Sequence, residues 1–157
     1  MQHRFAMLIV PLLMIACGPK YIEGTKITET EENHTILDMV EEYRLAVEKR
    51  DAHAVAQLVS RRYFENASTT ASPGDDYGYD KLIQKVLPVL RDNVKKVIYK
   101  VDVERIEVKG KEACVYIDWE LKFQYLEGGL TGWGEAKDKN RLDLVVEDGR
   151  WKILAGL

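Results

Sequence analysis

The chain has 157 residues, the length of a single domain with a sizeable hydrophobic core. Its formal net charge of -3 gives no basic field for a phosphate backbone, so the sequence predicts no nucleic-acid partner. The three histidines and two cysteines are too scattered for a ligand cluster, so neither a metal nor a cofactor is expected.

The first segment has a basic start and then an apolar run from Phe5 to Ala16. This run is shorter than the roughly 20 apolar residues that span a bilayer, so residues 1–16 are predicted to be a signal peptide. Met14-Ile15-Ala16-Cys17 resembles the lipoprotein box of bacteria, in which the cysteine sulfur receives a diacylglyceryl group. The alternative is a plain secretory signal with an incidental cysteine.

The lipobox resemblance implies a mature chain that begins at a lipid-modified Cys17 and is held to a membrane by its acyl chains. Residues 17–30 are then the anchor and a polar tether, and residues 31–157 are the domain. Gly18 resembles the residue that sorts lipoproteins to the outer membrane, which implies a location in the cell envelope facing the periplasm.

Three helices are predicted before any long strand. Thr28 to Glu31 has the spacing of a capping box, and an apolar stripe that includes Tyr43 follows at helical spacing. Asp51 is a predicted cap for a second, short helix. A third helix follows the turn-rich stretch 67–76 and should break at Pro88, which cannot donate a backbone hydrogen bond.

From Lys96 onward the apolar residues alternate with a period of two, most regularly between Ala113 and Tyr125. The alternation slips by one residue at Glu104-Arg105, which predicts a β-bulge and a curved sheet. Ile106 is therefore predicted to lie on the face opposite to the one that unbroken alternation from Val97 to Val103 would give it. Turn signals at Gly110, at Glu127 to Gly134 and at Asp148-Gly149 divide this region into a four-stranded antiparallel meander.

This order of elements, ending in Asp148-Gly149-Arg150-Trp151-Lys152-Ile153, resembles the nuclear transport factor 2-like superfamily. That superfamily includes ketosteroid isomerase, scytalone dehydratase and the SnoaL-like polyketide cyclases. The resemblance covers about Glu31 to Leu157 and implies an α+β, cystatin-like fold, in which a cone-shaped curved antiparallel sheet packs against three N-terminal helices. It also implies a pocket between the helices and the concave face of the sheet.

Polar residues in the inward phase of the last long strand are candidates for chemistry in such a pocket. Leu142 and Leu144 are predicted to face inward. Because every second residue of a strand faces the same way, Asn140 and Asp138 are predicted to face inward too. A carboxylate in an apolar cup has a raised pKa and can act as a general acid or base. The alternative is that Asp138 lies in a solvated strand end.

Tyr43 falls where ketosteroid isomerase-like proteins carry a helix tyrosine that donates to a substrate oxyanion. Its alternative role is a core tyrosine whose hydroxyl reaches the rim. Tyr99 and Trp119, in the inward phase, are predicted ligand contacts together with Tyr43, Asp138 and Asn140. The catalytic aspartate of that family would fall at residue 66 or 67, where an asparagine and an alanine stand, so isomerase chemistry is disfavoured.

Trp133 lies between two glycines, in what is predicted to be a glycine-rich loop. Together with Leu130 it is predicted to form an exposed contact site for a partner or the mouth of the pocket, the alternative being a tryptophan folded back onto the sheet edge. The resemblance also implies a homodimer that pairs sheet to sheet, against which stand the charged residues Asp118, Glu120 and Lys122 on the outward face.

The sequence therefore predicts an envelope-anchored domain that binds a small apolar ligand or a protein partner without catalysis. The alternative is a small hydrolase, dehydratase or cyclase that uses Asp138 together with Tyr43.

Overall fold

The computed structural model describes residues 18–66 and 76–157. The predicted signal peptide, the lipidation site Cys17 and all but the last residue of the turn-rich stretch lie outside the described residues.

Helices come first along the chain and the long strands come last. The elements are α1 Glu31–Lys49, α2 Ala52–Leu58, β1 Phe64–Glu65, β2 Tyr77–Gly78, α3 Tyr79–Lys81, a π-helix Leu82–Val86, α4 Leu87–Asp92, β3 Val94–Lys109, β4 Glu112–Glu127, β5 Leu130–Glu147 and β6 Arg150–Ala155. The long strands form one antiparallel sheet in the order β3-β4-β5-β6, which confirms the predicted meander.

Helix α1 begins two residues after the predicted capping position. The side chain of Thr30 accepts a hydrogen bond from the backbone N–H of Asn33 at 3.1 Å, which makes Thr30 the N-cap. The helix ends at Lys49, and the next residue, Arg50, caps it in the left-handed region with a φ of 57°. The apolar stripe, Tyr43 included, is buried as its spacing predicts.

The predicted break near Pro88 takes the form of the π-helix that directly precedes it. Proline has no N–H to donate to the carbonyl of Gln84, so the regular hydrogen-bond ladder cannot continue there. A wider π-type turn accommodates the interruption, and the chain continues into α4 without separating into two helices.

The predicted bulge is confirmed at Glu104. Val103 pairs with Ile117 and Arg105 pairs with Tyr116, so Glu104 is the extra residue on β3. Beyond the bulge, Ile106 lies opposite Val115 and returns to the inner, apolar face of the sheet.

The core lies between α1, α2 and the inner face of the sheet. Helix α1 contributes Ile36 and Val40, whereas the sheet contributes Ile117, Leu142 and Ile153, each at most 3% exposed. Full burial of one such side chain stabilises the fold by about 1.5–3 kcal/mol.

The two edges of the sheet differ in what lies beside them. Along β3, Arg44 donates to the carbonyl of Tyr99 at 3.0 Å and Glu48 accepts from its N–H at 3.0 Å. Arg50 donates to the carbonyl of Val94 at 2.8 Å. Strand β6 pairs with β5 only from Asp143 onward, so no described strand pairs with the outer edge of β5 before that residue.

The segment before α1 contains a short turn. The N–H of Glu29 donates to the carbonyl of Lys20 at 2.8 Å, and Ile27 is only 3% exposed. Within residues 18–66 and 76–157, no helix has the length and apolar character that crossing a membrane requires.

Candidate functional site

Two buried tyrosines from different elements meet above the inner face of the sheet. Tyr43 comes from α1 and Tyr99 from β3, and their rings pack edge to face with centroids 6.0 Å apart. Only 8% of Tyr43 and 7% of Tyr99 is exposed. The ring of Trp119 continues this arrangement along the sheet, 6.4 Å from that of Tyr99. Three predicted ligand contacts therefore lie together.

A second tyrosine pair lies beside the short strands β1 and β2. The rings of Tyr63 and Tyr77 are 6.1 Å apart, and the Tyr63 hydroxyl donates to Oε2 of Glu65 at 2.8 Å. The same oxygen accepts from the N–H of Gly156 at 2.9 Å. We call Tyr43, Tyr63, Tyr77 and Tyr99 the tyrosine cluster.

The structure places the carboxylate of Glu65 against a hydroxyl of this cluster, and the sequence analysis did not identify it. The available signal was the alternation in Tyr63-Phe64-Glu65, which puts the tyrosine and the glutamate on one face of a strand. Glu65 stands one residue before Asn66, close to where the resemblance places a catalytic carboxylate.

Burial keeps the hydroxyls of the cluster protonated. It raises the pKa of Tyr43 well above its usual value, and the neighbouring Tyr99 hydroxyl raises it further. Burial likewise raises the pKa of Tyr63, to which the hydrogen bond with Glu65 adds. The pKa of Tyr99 is raised by burial and partly lowered by the Tyr43 hydroxyl. These side chains are therefore neutral hydrogen-bonding groups at physiological pH.

Asp138 lies in the predicted inward phase, paired with Trp119, but it is exposed. Its Oδ1 accepts from the backbone N–H of Lys139 at 2.8 Å. Of the two alternatives for Asp138, the structure therefore matches the solvated strand and not the apolar cup: Asp138 lies in the part of β5 with which β6 does not pair. Asp138 instead caps a backbone donor at the sheet edge.

Asn140 has a similar role at the same edge and is also exposed. Its Oδ1 accepts from the N–H of Arg141 at 2.8 Å, and its Nδ2 donates to the carbonyl of Gly156 at 2.9 Å. Asn140 and Glu65 together hold the backbone of Gly156, so the polar groups of Asn140 are already engaged.

Leu130 and Trp133 are exposed, at 77% and 57%, as a contact site requires. The prediction that they lie in a glycine-rich loop is wrong, because both belong to β5 and the turn is only Gly128-Gly129. Trp133 pairs with Gln124 in the ladder and therefore projects from the outer face of the sheet.

The glycines beside Trp133 have a packing role. A Cβ on Gly132 would lie 2.6 Å from the ring of Tyr125, and one on Gly134 would lie 2.6 Å from the ring of Phe123. Each ring therefore lies over the glycine with which its residue pairs across the sheet.

This packing extends the inner face as an aromatic strip, which we define as Trp119, Phe123 and Tyr125. All three side chains are half-buried, and the rings of Phe123 and Tyr125 are 5.9 Å apart. The strip begins at the tyrosine cluster, where Trp119 contacts Tyr99. The inner face thus combines partly accessible apolar surface with buried, neutral hydroxyls.

The surface has two depressions. One, of about 380 Å³, is lined mainly by charged residues, among them Lys100, Asp118 and Lys139, and it also contacts Trp119 and Asp138. The other, of about 1360 Å³, surrounds α2. None of the four cluster tyrosines lines either depression. Among the described residues, no group of three His, Cys, Asp or Glu side chains could hold a metal ion.

No protein-family model matches the chain, and no curated protein matches it in sequence. Solved structures do resemble it. A scytalone dehydratase-like protein from Novosphingobium aromaticivorans has a TM-score of 0.67 at 18% identity, over 80% of each chain. A nuclear transport factor 2-like superfamily protein from Salmonella enterica has a TM-score of 0.63 at 16% identity, over 78% of this chain and 86% of the other.

A ketosteroid isomerase-like protein from Erwinia carotovora has a TM-score of 0.61 at 17% identity, over 82% of this chain and 95% of the other. The protein therefore has the α+β fold of the nuclear transport factor 2-like proteins, which confirms the predicted fold class. At these identities the likeness establishes the fold and leaves the chemistry to the residues of the site.

Proposed function

We propose that this protein is an envelope-anchored lipoprotein whose domain binds a small, largely apolar molecule carrying a polar oxygen, without transforming it. The observation that carries the proposal is the contact between the buried Tyr43–Tyr99 pair and the half-buried aromatic strip. Aromatic surface favours an apolar ligand body, and a neutral hydroxyl in a water-poor site favours one oxygen atom of the ligand.

The position of Asp138 supports binding over catalysis. A general base must lie where it can reach the proton that it removes in a site from which water is largely excluded. Glu65 is held in the fold by the hydrogen bonds that its Oε2 accepts from the Tyr63 hydroxyl and the Gly156 N–H. Asp138 is exposed at the edge, where solvent reaches it. The alternative of a hydrolase, dehydratase or cyclase built on Asp138 and Tyr43 therefore has less support.

The names of two structural neighbours are the reason to test the enzymatic alternative. They include a scytalone dehydratase-like and a ketosteroid isomerase-like protein, names that denote chemistry on small molecules. In this chain, Glu65 is a further candidate for such chemistry beside Asp138, because its carboxylate contacts a hydroxyl of the tyrosine cluster.

The anchoring part of the proposal rests on the lipobox at Cys17. Residues 18–20, which follow Cys17 directly, are exposed, as a lipid-proximal segment would be. Replacing Cys17 with Ser should abolish lipid attachment and leave a precursor or a released form. An inhibitor of the lipoprotein signal peptidase should cause the wild-type precursor to accumulate, and an unchanged precursor level would contradict the assignment.

Native mass spectrometry of the full-length chain, extracted from envelopes in mild detergent, tests the binding proposal. We expect a retained small molecule whose mass is unchanged after incubation. A bound species that changes mass would indicate catalysis, whereas consistently empty protein would contradict binding.

A defined probe locates the site. 2-Naphthol, an apolar ring system with one hydroxyl, should bind to wild type and to a Tyr21→Phe control, since Tyr21 is 52% exposed and lies in the turn before α1. Tyr43→Phe should weaken binding roughly 2- to 10-fold, the effect of losing one hydrogen bond. Equal affinity for both variants would place the site elsewhere.

A further inference from the structure

The outer edge of β5 has backbone groups that no described strand satisfies. The β4–β5 hairpin closes through Gly128 and Gly129, with φ of 57° and 81°, so the flanking pair Glu127–Leu130 is a hydrogen-bonded pair. Such pairs alternate along an antiparallel ladder, so the even-numbered residues of β5 bond to β4. The odd-numbered residues direct their N–H and C=O groups to the open edge.

The caps at the end of the edge agree with this assignment. The N–H groups of Lys139 and Arg141 are bonded by the side chains of Asp138 and Asn140, which are not part of β4. Such local capping protects an exposed edge from indiscriminate pairing. No side-chain or loop partner within the described residues bonds the N–H groups of Trp133, Glu135 and Lys137.

We propose that this open edge pairs with the same edge of a second copy of the chain. The two β5 strands run antiparallel about a two-fold axis through Ala136, and the two four-stranded sheets join into one. A two-fold pairing uses the same edge on both copies and therefore closes at a dimer.

The charge pattern along β5 selects this register. With the axis at Ala136, Glu135 lies opposite Lys137 of the second copy, twice. Opposite charges that face each other across a ladder are favourable. Trp133 lies opposite Lys139, whose ammonium already bonds Glu104 and Asp118 of its own chain, so the Glu135–Lys137 pairs carry the selection. An axis at Glu135 or at Lys137 would place two like charges directly opposite each other.

The residues on the inner face of β5 also suit this axis. Ala136 would face Ala136 of the second copy and Gly134 would face Asp138, so each facing pair contains at least one small residue. The axis passes between a non-hydrogen-bonded pair, in which facing Cα atoms approach to about 4.5 Å. Small side chains permit that approach. On both sides of the axis, Glu135 and Lys137, whose N–H groups no described residue caps, exchange the backbone hydrogen bonds.

Cysteine cross-linking of the full-length chain in detergent tests the register. Ala136→Cys places two thiols across the axis, so oxidation with diamide should give a disulfide-linked dimer. Asp138→Cys is the matched control. Residue 138 faces residue 134 of the second copy, so the two introduced thiols lie about 13 Å apart along the strands and this variant should remain monomeric. An uncross-linked Ala136→Cys, equal cross-linking of both variants, or a cross-link to a protein of different mass would overturn the proposal.

Charge exchange provides a second test that does not depend on a thiol. Glu135→Lys and Lys137→Glu each place like charges opposite each other in the homodimer, so each should raise the dimer dissociation constant by at least about 10-fold. Mixing the two variants restores both opposite-charge pairs, so differently tagged chains should copurify as a heterodimer. If the mixture associated no better than either variant alone, the proposed pairing would be wrong.

Discussion

Along β3, side chains of α1 bond both backbone groups of Tyr99, whereas along β5 the backbone before Asp143 meets no described strand. The covered edge is fixed by charged groups: the Tyr99 N–H is the main cause of the lowered pKa of Glu48. The open edge carries only local caps from Asp138 and Asn140. One edge is therefore part of the domain's interior framework, and the other is available for association.

The same contrast separates the two proposals. Helix α1 supplies Tyr43 to the proposed binding site and, one residue later, Arg44 to the covered edge, so the proposed site lies where the helix is bonded to the sheet. Trp133 and the charged residues near it lie on β5, which is separated from β3 by β4. No described helix packs against this part of β5. Binding and association should thus be separable by mutation.

The largest expected effect is on stability at alkaline pH. The folded pKa values of Tyr43, Tyr63 and Tyr99 lie above the unfolded value of about 10, so these groups stabilise the fold fully below pH 10. Above it, the unfolded chain loses protons that the folded chain keeps, and each tyrosine steepens the decline by up to about 1.4 kcal/mol per pH unit. Urea unfolding between pH 9 and 11 measures the slope. Tyr43→Phe should make it shallower, and an unchanged slope would argue against a buried hydroxyl.

The next effect concerns the covered edge. Glu48→Ala leaves the N–H of the buried Tyr99 without its acceptor and should cost about 1–3 kcal/mol at neutral pH. Because the folded pKa of Glu48 is lowered, the stability that it contributes is present above about pH 4.3 and is lost as the pH falls through the folded pKa. Denaturant titrations at pH 7 and pH 3 should therefore show a smaller difference at pH 3. Glu42→Ala, on an exposed part of α1, is the control and should change stability by less than about 0.5 kcal/mol.

These predictions rest on features that the sequence indicated to different degrees. The period of two located the sheet and the slip at Glu104, because alternation follows directly from strand geometry. Helical spacing likewise placed Tyr43 on the buried face of α1. Both features depend only on residues close together in the chain.

The sequence could not indicate features that depend on the ends of neighbouring elements, on contacts across the sheet or on very short strands. The inward phase of Asp138 was inferred correctly, but its exposure follows from the short length of β6, which alternation within β5 does not encode. Gly132 and Gly134 suggested a loop, yet each is a partner for an aromatic ring on β4. Glu65 went unnoticed because a two-residue strand carries little periodic signal.

A smaller effect is expected at Trp133. Trp133→Ala should change the melting temperature by no more than about a degree or two, because more than half of the side chain is exposed, while it weakens dimer formation. Trp119→Ala is the matched tryptophan control, since that ring packs against the core, and it should lower the melting temperature clearly. Equal losses of stability would mean that Trp133 belongs to the core.

The smallest effect should come from the open edge itself. Asp138→Ala removes a cap from the N–H of Lys139, but water can bond that exposed donor, so stability should change by less than about 0.5 kcal/mol. Thermal denaturation beside Glu48→Ala makes the comparison direct. A cost as large as that of Glu48→Ala would show that the β5 edge is not open.

Hydrogen exchange of the full-length chain at two protein concentrations tests the difference between the edges most directly. The amide of Tyr99 should exchange slowly at both concentrations, because Glu48 bonds it within the folded domain. The amides of Trp133, Glu135 and Lys137 should exchange rapidly in dilute solution and slowly where a second copy covers them. Slow exchange of these three amides in dilute solution, or exchange of Tyr99 as rapid as theirs, would contradict this account.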